Sequence, residues 1–236
     1  MRITLLPGDG IGVEIVEAAV QVLDAAAKKY NMELEYDRQL IGGAAIDATG
    51  HPLPEATVKS AQAADAVLLG AVGGPKWDNV EPTLRPEKAL LGIRQALGLY
   101  CNLRPIKVSR FVSHLSPLKD ERVANADLLI VRELTGGIYF GTHNEASLDA
   151  NGVETASDIE IYSRPEVERI AKFAFEAAKK RKCKVTSVDK ANVLASSRMW
   201  RKITSEIHDK SYAEVELSNL YVDNCAMQLV LNPGQF

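Results

Sequence analysis

Arg94, Arg104 and Arg132 recur along one stretch of chain and lead into Arg132-Glu133-Leu134-Thr135-Gly136-Gly137-Ile138-Tyr139-Phe140-Gly141. A planar guanidinium grips a carboxylate through two parallel charge-assisted hydrogen bonds, so several of them converging on one pocket suit a small polycarboxylic acid. Tyr139, close by in sequence, adds a group that can move a proton as well as bind. Arg104 precedes Pro105, and Arg132 ends the apolar run Leu128-Leu129-Ile130-Val131, so each sits where a strand delivers a side chain to a crevice. From spacing alone the two arginines serve equally well as strand-end ion pairs with carboxylates such as Glu133.

Two further groups can carry chemistry. Lys190 closes the run Val188-Asp189-Lys190-Ala191-Asn192-Val193-Leu194 and acts as a base only if burial or neighbouring charge lowers its pKa; taken alone it reads as a solvated strand-end lysine. Asp223, in Tyr221-Val222-Asp223-Asn224, opens a helix, where a carboxylate caps the N-terminus or holds a hard cation. On a helix over 86–98, Glu87, Leu90, Leu91 and Arg94 fall at i, i+3, i+4 and i+7 and share one face. The plainer reading there is a core stripe of Leu90, Ile93 and Leu97 with the two charges solvated at its rim.

These residues need a scaffold. Residues 2–6 predict a buried strand, 7–12 a glycine-rich turn and 13–30 a helix with Val16, Ala19, Val20 and Leu23 on one stripe. A strand over 33–38, a glycine-containing loop, a helix over 54–63 and the apolar run 66–72 continue an α/β pattern with a parallel sheet. The rhythm changes at Tyr100, which places a domain boundary near residue 99. Beyond it the sequence predicts a strand ending at Arg132, a loop or protruding hairpin over 142–157, an alternating stretch 159–162 and a helix over 165–182. A strand over 184–189, a helix over 196–208, a strand over 213–218 and a helix over 222–231 complete the set, closed by the terminator Asn232-Pro233-Gly234. The first region offers about three strands, leaving a sheet edge that invites aggregation. Pro7-Gly8-Asp9-Gly10-Ile11-Gly12 follows a strand and opens a helix, but its glycine spacing is not that of a Rossmann fingerprint, and Asp24 lies inside a helix.

Composition narrows the partners. The 236 residues, 46% hydrophobic, are ample for a core, and 28 basic against 31 acidic residues leave no footprint for nucleic acid. The run Lys179-Lys180-Arg181-Lys182 ends a helix and complements its dipole. The odd, scattered Cys101, Cys183 and Cys225 argue against a disulfide framework or thiolate metal site and suit a reducing, cytoplasmic setting. His51, His114, His143 and His208 lack metal-ligand spacing. The apolar start is too short for a signal peptide and no segment reads as a membrane span.

Six segments in order resemble one family: Leu6 to Gly12, Gly42-Gly43-Ala44-Ala45-Ile46-Asp47, Gly70 to Trp77, Asn102-Leu103-Arg104-Pro105, Arg132 to Gly141, and Val188 to Leu194. Together they are similar to the β-decarboxylating dehydrogenases acting on isopropylmalate, isocitrate and tartrate, and most closely to the isopropylmalate branch. The resemblance covers nearly the whole chain. It implies a two-domain α/β fold, not of Rossmann type, with residues 1–99 as the N-terminal half of the cofactor-binding domain and 100–236 as the substrate and dimerisation domain with an arm. The implied reaction oxidises a substrate hydroxyl by hydride transfer to NAD and then releases the β-carboxyl group, in leucine biosynthesis.

By the same resemblance Arg94, Arg104 and Arg132 hold the two carboxylates, while Mg²⁺ or Mn²⁺ at Asp223 chelates the substrate. Lys190 is the base in oxidation and Tyr139 the acid that protonates the enol. Lys190 and Asp223 reach the site from a neighbouring subunit, making a homodimer part of the mechanism. Ile11 and Gly74-Pro75-Lys76-Trp77-Asp78-Asn79-Val80-Glu81-Pro82-Thr83-Leu84-Arg85-Pro86-Glu87 lie along the cofactor, and Leu90 and Leu91, beside Glu87, face an isopropyl group. The family's two later metal-binding aspartates and main NAD loop belong to a C-terminal stretch beyond Phe236. Two alternatives stand beside this reading: a relative acting on another malate-like acid, and a truncated, inactive subunit that only dimerises.

Overall fold

Short apolar strands alternate with helices in the first part of the chain, and each helix must cover a sheet face. The computed structural model describes residues 1–236 except Arg110, Val112 and Asn125. By its contacts the chain divides into two units, Met1–Leu99 and Tyr100–Phe236.

In the first unit β1 (Arg2–Gly8), α1 (Gly12–Tyr30), β2 (Glu35–Arg38), α2 (Gly43–Thr49), α3 (Glu55–Ala63), β3 (Ala66–Ala71) and α4 (Pro86–Ala96) follow in order. The strands make a parallel sheet in the order β2-β1-β3, with Leu5 of β1 opposite Arg38 and Leu68. Ile3 and Leu5 pack with Val16 of α1 on one face, whereas Leu6 packs with Ile41, Ala61, Ala89 and Ile93 on the other. The period-2 alternation of β1 thus feeds two cores. Two 3-10 turns, Pro75–Trp77 and Pro82–Leu84, lie between β3 and α4.

The glycine-containing loop expected over the forties is instead largely helical. Gly42 has φ +72°, and α2 starts directly after it.

The second unit contains β4 (Cys101–Lys107), the short α5 (Asp120–Val123), β5 (Asp127–Glu133), β6 (His143–Leu148), β7 (Glu154–Asp158), α6 (Arg164–Lys179), β8 (Lys184–Asp189), α7 (Ala195–Ser211), β9 (Glu216–Tyr221) and α8 (Val222–Leu231). β4 pairs antiparallel with β5, β6 antiparallel with β7, and β8 parallel with β9. The β6–β7 pair is a hairpin exposed along its length, so the loop-or-hairpin alternative resolves to a hairpin. The alternating stretch 159–162 forms no strand, because Ile159 and Ile161 are exposed and only single backbone bonds, such as Gly137 N–H to Ile161 O, reach it. The last strand runs over Glu216–Tyr221 rather than 213–218, since Val215 is drawn into the core formed by Val167, Phe175 and Ile203. A capping box, Ser163 with Glu166, starts α6.

Candidate active site

In the first unit the Pro7–Gly12 turn is built as a scaffold. The Asp9 carboxylate, 3% exposed, accepts backbone N–H groups of Gly43 (2.8 Å), Ala44 (2.7 Å) and Gly73 (2.8 Å). It thereby fixes the N-terminus of α2 and the loop after β3 to one point. A Cβ at Gly12 would stand 2.1 Å from Pro7 O and 2.6 Å from Ala71 N, so the glycine lets α1 approach the sheet. Asp9 is an organising residue that pattern reading passes over, and its signal in the sequence is only an acid between two glycines after a buried strand.

The segment leaving β3 is anchored on α2. Trp77 Nε1 donates to Asp47 Oδ1 at 3.2 Å, Lys76 Nζ pairs with Asp47 at 2.5 Å, and the indole packs where Gly43 has no side chain. Lys76's hydrogen bond, more than any other neighbour, holds the Asp47 carboxyl below the usual range. Gly74, Trp77, Asp78, Arg85, Pro86 and Glu87 enclose a cavity of about 250 Å³. Pro75, Lys76, Asn79, Glu81, Pro82 and Thr83 are exposed around it, with Val80 and Leu84 half-buried. Ile11, 64% exposed, stands at the N-cap of α1.

On α4 the core face is Pro86, Ala89 and Ile93, with Leu97 packed against it. Leu90, expected in that stripe, is displaced by Ala89; Leu90 and Leu91 are half-buried and lie outside the core clusters. They share their helix face with Glu87 and with half-buried Arg94. The small Ala89 side chain lets the helix sit close, which turns the leucine pair aside.

In the second unit the β4–β5 ribbon carries the guanidinium groups. Asn102 lies opposite Arg132 and Arg104 opposite Ile130, so Asn102, Arg104 and Arg132 project from one face. Arg104 Nε donates to Asn102 Oδ1 at 2.7 Å, and the Arg132 guanidinium lies 5.2 Å from the centre of the Tyr139 ring. Glu133, the carboxylate that spacing offered to these arginines, points to the other face. There it bonds Arg169 at 2.6 Å and accepts N–H groups of Thr135 and Gly136 at 2.8 Å. Among the described residues neither Arg104 nor Arg132 is ion-paired with a carboxylate. The ribbon thus holds two guanidiniums open toward one side, with an exposed phenol under one of them.

Lys190 and Asp223 come together at the carboxyl ends of β8 and β9, with Nζ 2.5 Å from Oδ1. That hydrogen bond holds the Asp223 carboxyl below the ordinary range. Asp223 is not the cap of α8: Tyr221 occupies that position and Asp223 sits inside the first turn, where negative charge suits the helix dipole. Below the pair, buried Asp189 accepts two bonds from Arg201 at 2.8 Å, and the Arg201 guanidinium stacks 5.1 Å from the Tyr221 ring. One side chain therefore braces both strand ends.

Asp223 offers one hard oxygen donor, and the described residues include no group of three or more His, Cys, Asp or Glu side chains that could hold a metal ion. The chemistry of that donor suits a divalent ion completed by oxygens from a bound acid and water. The three cysteines are free, and among the described residues no helix is long and apolar enough to cross a membrane.

The family model described as isocitrate/isopropylmalate dehydrogenase matches residues 2–236. A 3-isopropylmalate dehydrogenase of Bacillus licheniformis is 55% identical over 235 residues, which is 100% of this chain and 63% of that protein. One from Clostridium pasteurianum is 56% identical over 236 residues, covering 100% of this chain and 65% of the relative. The chain therefore spans a little under two thirds of the length of these relatives. The crystal structure of isocitrate dehydrogenase from Methylococcus capsulatus superposes with a TM-score of 0.83 at 34% identity, over 100% of this chain and 64% of that one. Sequence and architecture agree, and the chain belongs to the isocitrate/isopropylmalate dehydrogenase family.

Proposed function

We propose that this chain carries substrate-binding and proton-transfer residues for the oxidative decarboxylation of 3-isopropylmalate to 4-methyl-2-oxopentanoate with reduction of NAD, a step of leucine biosynthesis. The observation that carries the reading is the pair Arg104 and Arg132, on one ribbon face, with no carboxylate partner among the described residues and Tyr139 beneath Arg132. The names of the relatives supply the substrate.

In this reading Arg94, Arg104 and Arg132 grip the two carboxylates and fix the substrate's orientation. Leu90 and Leu91 offer apolar surface to the isopropyl group. Once Asp223 turns from its 2.5 Å bond with Lys190 to a metal ion, the carboxylate that favours the charged amine is removed and Lys190 takes the proton from the hydroxyl oxygen; the C–C bond to the β-carboxylate then breaks, releasing CO₂, and Tyr139 delivers a proton to the carbon that keeps the electron pair. When bound, NAD accepts the hydride and a Mg²⁺ or Mn²⁺ ion polarises the hydroxyl and the developing oxyanion. The residues to hold NAD are Ile11 and the Gly74–Glu87 segment, whose cavity presents an indole, a guanidinium and two carboxylates. Asp223 is the metal carboxylate. A homodimer in which Lys190 and Asp223 serve the partner's site, and a cytoplasmic location, belong to the same proposal.

The test is NAD reduction and substrate binding by the purified chain with Mn²⁺, comparing isopropylmalate, isocitrate and tartrate. Isopropylmalate is expected to be preferred, by a margin of about 1–3 kcal/mol per buried methylene. Preference for isocitrate, or equal binding of all three, would overturn the assignment.

A further inference from the structure

Two features of the second unit take no part in the proposed chemistry: the alternating stretch 159–162, which forms no strand, and the glycines of Gly136-Gly137-Ile138-Tyr139-Phe140-Gly141. They meet. A Cβ at Gly136 would stand 2.9 Å from Tyr162 Cδ1, one at Gly137 2.4 Å from Tyr162 Oη, and one at Gly141 1.6 Å from the Ile159 carbonyl oxygen. No side chain fits at these three positions, so the turn that carries Tyr139 lies flat against 159–162 at both of its ends. Hydrogen bonds fix the same seat: Gly137 N–H donates to Ile161 O at 2.8 Å, and Ile159 N–H to Thr142 O at 2.9 Å. Gly137 also has φ +75°, a left-handed backbone that glycine adopts without strain.

The seat is itself held from several sides. Half-buried Tyr162 packs against the core of Val167, Phe175 and Ile203, and meets the Trp200 ring edge-on at 5.3 Å between centres. Ser163, next in the chain, starts α6 through its capping box, and Glu160 bonds Ser196 in the first turn of α7. Tyr139, by contrast, is 53% exposed, so its place beside Arg132 is set by the backbone beneath it more than by packing around it.

We propose that Tyr162 is a positioning residue for Tyr139: its ring is the surface on which the Gly136–Gly137 turn rests, and it thereby holds the Tyr139 phenol beside Arg132. The inference deepens the proposed function and rests on it for the role of Tyr139 as proton donor. The contacts span the ring from Cδ1 to Oη, so phenylalanine at 162 keeps the seat and leucine does not. A methyl group at Gly137 forces the turn away by about 1 Å to reach ordinary contact with Tyr162, and misplacement on that scale costs on the order of a hundredfold in rate.

Nuclear Overhauser contacts between the Tyr139 ring and the Arg132 side chain in the purified chain test this without recourse to turnover. Gly152 supplies the control, because it too has a positive φ, +76°, yet a Cβ there meets nothing within 4 Å. Gly152→Ala carries the backbone strain alone and should leave the Tyr139–Arg132 contacts intact, as should Tyr162→Phe. Gly137→Ala and Tyr162→Leu should erase them in a chain that stays folded, and Gly137→Ala should lower kcat roughly a hundredfold with KM unchanged. Should Tyr162→Leu unfold, Gly137→Ala decides. The proposal is overturned if the unaltered chain lacks these contacts, if they survive in Gly137→Ala or in folded Tyr162→Leu, or if Tyr162→Phe or Gly152→Ala loses them as well. A chain that keeps this pattern but neither binds nor turns over isopropylmalate would instead overturn the proposed function and leave the positioning role standing.

Discussion

The two faces of the β4–β5 ribbon treat charge in opposite ways. Arg132 and Glu133 are neighbours, yet alternation sends the first to a side where its guanidinium meets a phenol ring and, among the described residues, pairs with no carboxylate. The second goes to a side where its carboxylate, 1% exposed, is matched by Arg169 and two backbone N–H groups. A satisfied buried carboxylate holds a loop in place, while an unneutralised guanidinium waits for an anion from outside. The Thr135–Gly136 backbone that Glu133 secures leads on to Tyr139, so the stable face positions the phenol beside Arg132.

Substitutions should separate the two faces cleanly. Glu133→Ala strands Arg169 and the two N–H groups, and a loss of about 3 kcal/mol in urea unfolding is expected. Arg132→Lys keeps the charge but removes the fork and its stacking. Isopropylmalate affinity should fall roughly 10- to 100-fold by calorimetry, while stability stays within about 0.5 kcal/mol. If Arg132→Lys destabilised the chain as much as Glu133→Ala, the distinction between the faces would fail.

Tyr162 probes the same corner by pH. Burial first, and then the Glu133 charge, push its phenol up to about 12. The folded chain therefore keeps a proton that the unfolded chain loses near 10, so this contribution to stability is full below about pH 10 and is lost as pH rises through about 12. Ultraviolet titration of Glu133→Gln should lower the Tyr162 value while leaving it above 10, because burial is the larger cause. The smallest structural effect is expected from Asp223→Asn: no measurable change in unfolding midpoint at pH 7, with Mn²⁺ binding lost. A large stability loss there would recast the Lys190–Asp223 pair as a structural strut.

Much of this was legible in the sequence because it is local. Periodicity located β1, α1, β3, α6 and β8, and strand-end position marked Arg132 as a group delivered to a crevice, whereas Lys190 taken alone read as a solvated strand-end lysine. What escaped was tertiary. Helix α2 hides behind Gly42-Gly43 because the N–H groups of Gly43 and Ala44 are met by Asp9, 34 and 35 residues earlier. The core stripe of α4 runs through Ala89 rather than Leu90, since close packing under Leu6 and Ile41 rewards the smaller side chain. Glu133 found Arg169, 36 residues on, in place of its neighbour Arg132, a choice that strand alternation dictates but spacing alone does not disclose.

Calorimetric titration of 3-isopropylmalate into the chain and into Arg104→Met/Arg132→Met tests the ribbon as an anion receptor most directly. Saturable binding by the unaltered chain, abolished in a double variant that keeps its unfolding midpoint, is the predicted result. Undiminished binding by the folded double variant would contradict it.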